Sequence, residues 1–298
     1  MNLFEILNGA LDAGLYFVLL GVGLAPLERA FAARKQPLLR PEFATDLLFY
    51  FGQSLLFTKL TLWILWLAHD AVQSLTITVS IFAEWRAIFG DLPLWLQLPA
   101  VVLCSDLCIY WAHRWSHTNP WLWRFHRVHH TATRLDWAAA FREHPIDNIY
   151  TRLVVNLPAI ALGFSFEAIA AFVVFRGFWG NVIHSNTSFG LGPLKYVLGS
   201  PRLHHWHHEP RAGMHSNFAN LNPLMDVLFG TFYDPGVMPE RYGIAGSDGD
   251  GDATSGRGYF AQLLGPFRPA KSRATAGEIL FANSEPPGVV APESIKRI

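Results

Sequence analysis

Charge is scarce in this sequence. Only 15% of its 298 residues are Asp, Glu, Lys or Arg, against about 25% in a soluble globular chain. That deficit argues against a disordered chain, a coiled coil or an ordinary cytosolic enzyme. The charges also balance, 23 basic against 23 acidic, so the chain lacks the cationic excess that binds nucleic acid. Cysteine is nearly absent: Cys104 and Cys108 are the only two, which excludes a disulfide framework. They stand four apart in an apolar run, on one helix face. They read as buried thiols rather than a CxxxC metal pair. Lys and Arg are missing from Met1 to Ala10, so no signal peptide is expected and the first apolar segment reads as a retained anchor. There is no G-x-G-x-x-G fingerprint and no CxxCH haem motif, so neither a bound flavin nor a haem is expected.

Apolar residues are abundant: 51% of the chain, with 11 Trp and 23 Phe and a mean hydropathy of +0.22. A spanning helix needs about 20 mostly apolar residues. Stretches 11–28, 44–68 and 95–112 qualify. A fourth region, 153–183, contains Pro158 and Gly163. It is long for one span and short for two, and reads as a broken hairpin returning to its starting side. The expected fold is all-α and polytopic, about three spanning helices plus a membrane hairpin. Three parts are expected: anchor helices over 1–95, a histidine-rich catalytic region over 96–242, and a linker and tail over 243–298. In the last part, the run Asp248, Asp250, Asp252 resembles the opening of a calcium loop, but Tyr259 stands where the closing Glu belongs. Residues 260–267 could touch membrane or protein body, and the last 25 or so residues read as disordered.

Positive charge orients the chain. Arg29, Arg34, Lys35 and Arg40 follow the first span. Arg114, Arg124, Arg127, Arg134, Arg142 and Arg152 follow the third, and the 69–94 connection holds only Arg86. This places 29–43 and 113–152 in the cytoplasm and the N-terminus outside. With a hairpin over 153–183, everything from His184 onward, including the C-terminus, is cytoplasmic too.

Histidine is the unusual residue. There are 13, and twelve fall between His113 and His215. They form His113-x3-His117, His126-x2-His129-His130 and His204-His205-x-His207-His208, with His144 and His184 between. On a helix, residues three and four apart are neighbours, so HxxxH offers two imidazoles to one ion and HxxHH offers three on one face. Eight or nine imidazoles exceed what one zinc takes and suit two metals of higher coordination, with positions left for oxygen chemistry at iron. His69 and His215 read as ordinary surface or hydrogen-bonded residues. Asp106 lies in the third span, seven residues before His113. An acid in a span needs a partner. It could accept the second ring N–H of a metal-bound histidine, or bond a neighbouring Tyr or Arg. Glu143, Asp147 and Asp226 are further acids that could moderate the metals' charge.

The order HRxxH, HxxHH, Arg-x-His-Pro, His-Ser-Asn, HxxHH, and then Asn217 to Thr231 with Asp226 before Leu-Phe-Gly-Thr, resembles the fatty acid hydroxylase/sterol desaturase superfamily over roughly 100–235. The resemblance implies a membrane-bound non-haem di-iron oxygenase. Its ligands carry over to His113, His117, His126, His129, His130, His184, His204, His207 and His208. The set is nine, or ten if His144 supplies the ligand that some relatives carry where Gly180 stands here. No catalytic residue apart from the metal site is implied. His205, Asn181, Asp106 and Asp226 become outer-shell candidates, His205 alternatively facing substrate. Trp111, Trp137 and Trp179 could line a substrate tunnel or be interfacial belt residues. The reaction implied is hydroxylation of an unactivated C–H bond of a lipid (fatty acyl, sterol, ether lipid or carotenoid) with O2. The electrons come from an external cytochrome b5-, ferredoxin- or flavoprotein-type donor. The Arg-rich cytoplasmic face could receive that donor, or merely fix topology. A desaturase with the same site is the near alternative. A metal-binding membrane protein or transporter without oxygenase activity is the alternative of another class.

Overall fold

The computed structural model describes residues 3–210, 215–244 and 258–268. The acidic run Asp248–Asp252 and the last 25 residues lie outside the described residues. Within them the chain is helical, with no strand and one isolated bridge between Ala32 and Thr187. The longer helices are α1 (Leu3–Ala30), α2 (Phe43–Gly52), α3 (Thr58–Thr78), α4 (Ser80–Gly90), α5 (Leu94–Thr118), α6 (Pro120–His130), α7 (Pro145–Leu162) and α8 (Phe166–His184). Short helices α9 (Pro201–His207), α10 (Leu224–Leu228) and α11 (Tyr259–Leu264) follow. A π turn over Gln53–Phe57 joins α2 to α3.

Four helical segments are long and apolar enough to cross a bilayer: Asn8–Ala30, Phe43–Leu75, Leu94–Thr118 and Phe166–His184. Their outward faces are apolar, with Leu15, Val22, Trp63, Trp66, Leu103 and Val174 exposed. Such faces suit lipid rather than water, and the chain is an integral membrane protein. The second segment runs past the expected 44–68 to Leu75, because α3 continues to Thr78 and the π turn within the segment does not break the helix.

The fourth region is a hairpin. Gly163 ends α7 in the left-handed region, with φ 83°, where a glycine carries no Cβ penalty. Ser165 caps α8 by accepting from Ala168 N at 3.2 Å. Both arms have their outer ends among the histidines: Asp147 near the start of α7 bonds His126 at 2.9 Å, and His184 at the end of α8 reaches His129 at 3.1 Å. The end of α1 joins them, since Glu28 accepts from Trp137 N at 2.7 Å and Asn186 N at 2.9 Å. The ends of α1, α5 and α8 and the starts of α2, α6 and α7 therefore share one end of the bundle. Arg86 sits at the opposite end, donating to Ile160 O at 2.5 Å near the turn of the hairpin.

Three of the helices that open at this end, α6, α7 and α9, share one start signal. Asn119-Pro120, His144-Pro145 and Ser200-Pro201 each pair a capping side chain with proline at the first helical position. Proline fits there because that N–H would be unpaired anyway. Within the 243–298 stretch, α11 is packed rather than free. Tyr259 meets Phe49 edge-on at 4.8 Å, and Leu263 O accepts from His144 Nε2 at 3.0 Å.

Candidate metal centre

Nine buried imidazoles gather in two groups. His113, His117, His126, His130 and His207 form the first; His129, His184, His204 and His208 form the second. In each group the potential ligand nitrogens lie within 4.8 Å of one another. These are the nine positions named from the sequence as ligands. The expectation that each HxxHH presents its three rings on one face needs correction, because each motif is divided between the two groups. Residues i and i+4 are only about 40° apart around a helix, whereas i+3 falls about 60° to the other side. So α6 sends His126 and His130 to the first group and His129 to the second. α9 does the reverse, sending His204 to the second group, along with His208 just past its end, and His207 to the first. α5 adds His113 and His117 to the first group, and α8 adds His184 to the second.

The outer nitrogens fix the inner ones. His113 Nδ1 donates to Phe218 O at 2.7 Å, His207 Nδ1 to Ser216 O at 2.8 Å, His129 Nδ1 to Arg142 O at 3.1 Å and His184 Nδ1 to Gly180 O at 2.7 Å. A carbonyl only accepts, so each Nδ1 carries the proton and a neutral ring has a bare Nε2. Yet the Nε2 atoms of His129 and His184 stand 3.1 Å apart. So do those of His113 and His126, with His126 Nδ1 on the Asp147 carboxylate. Two bare lone pairs face each other in each case, and a cation between them resolves the conflict. Two nitrogens about 2.1 Å from one ion and at right angles would be about 3.0 Å apart. His204–His184 at 2.9 Å and His208–His204 at 3.1 Å repeat the spacing. Further ring nitrogens, on His117, His130, His204, His207 and His208, are buried without a hydrogen-bond partner. The residues thus fit metal ions.

Protonation agrees. Burial pushes His126 down to about 3 and His129 to about 4, the latter also by the neighbouring His126. His130, His204, His207 and His208 are held well below the usual histidine range, chiefly by burial. Rings kept neutral are ready to bind metal. Burial raises Asp147 to about 7, opposed by the charges of His129 and His144. Because Asp147 orients His126, replacing it with alanine should weaken metal binding by about 10- to 100-fold. Metal titration of the folded variant checks this.

A rigid loop carries two of the carbonyls. Asn217 sits at φ 53°, tolerable for Asn, and its side chain ties to Leu203 O, Tyr233 O and Tyr233 N at 2.8 to 2.9 Å. Asp226 accepts from Phe218 N at 2.8 Å, Ala219 N at 2.9 Å and the Thr231 hydroxyl at 2.7 Å. It touches no ring; it shapes the loop whose carbonyls aim His113 and His207.

Other expected residues stand differently. Asp106 does not serve a metal-group histidine: both its oxygens are buried without a hydrogen-bond partner. Seven residues along a helix is about 10 Å, too far for its short side chain to reach His113, whose Nδ1 bonds Phe218 O instead. His144 joins neither group, because Nδ1 caps Ile146 N at 3.2 Å and Nε2 donates to Leu263 O. His205 donates from Nε2 to Ser185 O at 3.0 Å and pairs Nδ1 with the Tyr242 hydroxyl at 2.7 Å, so it braces the turn after His184. Asn181 Nδ2 donates to Gly177 O at 2.8 Å within α8. Trp137 packs on Phe17 at 4.7 Å, Trp111 on Phe229 at 5.1 Å, and Trp179 donates to Gly199 O at 2.9 Å. The indole against the rings is Trp123, 5.1 Å from His117 and 5.6 Å from His130. His69 bonds Gln73 at 3.1 Å, and His215 is exposed.

Residues 98–231 match the family model for fatty acid hydroxylase. The chain is 30% identical over 177 residues to an ornithine lipid hydroxylase from Rhizobium tropici, covering 59% of this chain and 51% of that protein. It is 30% identical over 128 residues to alkylglycerol monooxygenase from Homo sapiens, 43% of this chain and 28% of that protein. It is 28% identical over 146 residues to a delta(7)-sterol 5(6)-desaturase from Gibberella zeae, 49% of this chain and 39% of that protein. The chain thus spans from about a quarter to about half of the length of these relatives. No solved structure matches it.

Proposed function

Residues 98–231 belong to the fatty acid hydroxylase family, and on that premise we propose that the chain hydroxylates a C–H bond of a membrane lipid with O2. The carrying observation is the pair of buried imidazole groups with bare nitrogens facing at 3.1 Å. We read the first group's five rings and the second group's four as holding one iron ion each. Iron so held supplies the oxygen activation that no side chain here can perform. The protein's part is to keep nine rings neutral and aimed. Phe218 O, Ser216 O, Arg142 O, Gly180 O and Asp147 hold the Nδ1 protons, so the Nε2 atoms point inward. An all-imidazole set adds no negative charge, and Asp147 beside His126 offsets part of the metals' charge.

The balance requires two electrons and two protons for each O2, with one oxygen atom entering the C–H bond and the other leaving as water. We assign the electrons to an external cytochrome b5-, ferredoxin- or flavoprotein-type donor. Positive-inside orientation puts the histidine end of the bundle at the cytoplasmic face, with the N-terminus outside. Arg114, Arg124, Arg127 and Arg134 lie on segments at that end and suit an acidic donor. The substrate enters from the bilayer. Its class follows the relatives, whose names cover an ornithine lipid, an alkylglycerol and a sterol.

The test is product analysis by mass spectrometry after incubating the purified, iron-loaded chain with a donor system and candidate lipids. A lipid that gains one oxygen atom supports hydroxylation. Loss of two hydrogens would replace it with desaturation, as in the sterol relative. Neither product, with every lipid class tried, contradicts an oxygenase.

A further inference from the structure

Five charged side chains from two distant parts of the chain meet in one buried cluster beside the second histidine group. Arg40, Glu42 and Asp46 come from the connection after α1 and the start of α2. Asp136 and Arg142 bracket the short 3-10 helix Trp137–Phe141. The side chains of Arg40 and Asp46 are wholly buried and bonded to each other. Arg40 also grips Asp136 through two bonds of 2.8 Å. The second oxygen of Asp46 accepts from Arg142 Nε at 2.5 Å, and Glu42 stands 3.1 Å from the same guanidinium.

The cluster leads to a ring. Asp136 accepts from Ala138 N and Ala139 N at 3.1 Å each, which starts the short helix. Arg142 N bonds Ala139 O at 3.1 Å, which ends it. The carbonyl of Arg142 then takes the Nδ1 proton of His129 at 3.1 Å. Both ends of the turn that aims His129 are therefore tied to Asp46, one directly and one through Arg40. None of Arg40, Glu42 and Asp46 lies in the matched 98–231.

We propose that Asp46 is a positioning residue for the second histidine group, acting through Arg142 on His129. The proposal rests on the reading of the two groups as metal sites. Its selectivity distinguishes it from a merely structural ion pair. The first group is aimed by Phe218 O, Ser216 O and Asp147, none of which touches the cluster. Loss of Asp46 should loosen one ion and spare the other.

The experiment titrates cobalt(II) into the purified, metal-free full chain, following the visible spectrum, for wild type and Asp46→Asn. Wild type should bind two ions. In Asp46→Asn one ion should bind as before and the other about 10- to 100-fold more weakly. Arg142→Lys, which keeps the charge and the carbonyl but loses the Nε bond, should show the same split. Glu42→Gln removes a partly exposed contact, keeps the test open should a buried variant fail to fold, and should weaken the same ion by less. Helical circular dichroism confirms folding in each case. Equal weakening of both ions, or wild-type binding of both in the folded variants, overturns the positioning role. Fewer than two ions in wild type refutes the metal reading itself.

Discussion

Replacing His129 with alanine should abolish lipid product formation and the oxygen consumption coupled to it. The protein should still insert, because its spans are untouched. The second group holds four rings, and three remain in the variant. His129 is also the ring that α6 contributes across the divide, while its neighbours His126 and His130 face the first group. On the di-iron reading the loss is local to one ion, and the reaction fails because both ions act on one substrate. The expected fall is roughly 1,000-fold or more, the scale on which removal of a working group registers in the barrier as about 4 kcal/mol. Metal analysis should show one ion retained. Coupled oxygen uptake and product formation measured side by side check the prediction, and unchanged coupled turnover would sink the di-iron reading.

Gly199→Ala should damage both groups at once. An added Cβ would lie 2.0 Å from Asn220 O and 3.0 Å from its carbonyl carbon. That is backbone against backbone, which no rotamer change relieves. Gly199 is held on both sides: its N–H bonds Leu221 O at 2.8 Å, and its carbonyl accepts from Trp179 Nε1 at 2.9 Å. One residue on, Ser200 caps the helix that bears His204 and His207. Asn220 follows the loop whose carbonyls orient His113 and His207. Pushing the two strands of chain apart pulls α9 from that loop. Overpacking costs typically about 1–3 kcal/mol, and a backbone clash this close belongs at the upper end, roughly a 10 °C fall in thermal midpoint for a chain this size. Thermal unfolding in detergent and metal analysis of the variant decide it. A wild-type midpoint with two ions retained would show that the contact relaxes at no cost.

Much of this site was legible in the residues, for physical reasons that can be named. Nine imidazoles at helical spacing beside apolar runs have no cheaper explanation than metal, and all nine gather in the two groups. The hairpin was legible because Pro158 and Gly163 interrupt a run too long for one span. The sharing of each HxxHH between the two groups was not, since spacing tells which rings are neighbours but not where the second group lies. The carbonyls that hold His113, His129, His184 and His207 were invisible because every residue has a carbonyl. Asp106 misled, since sharing a helix face says nothing about the length of the side chain needed to reach. Asp147 was visible only as one acid among several. The Arg40–Asp46–Arg142 cluster joins positions 96 residues apart, and no local pattern announces such a pairing.

On the reading proposed above, the two imidazole groups hold two iron ions. Iron analysis of the full chain, purified without oxygen and loaded with ferrous iron, tests it most directly. Two irons per chain should remain after gel filtration, falling to one in His129→Ala. Retention of no iron, or of a single ion unaffected by His129→Ala, would contradict it.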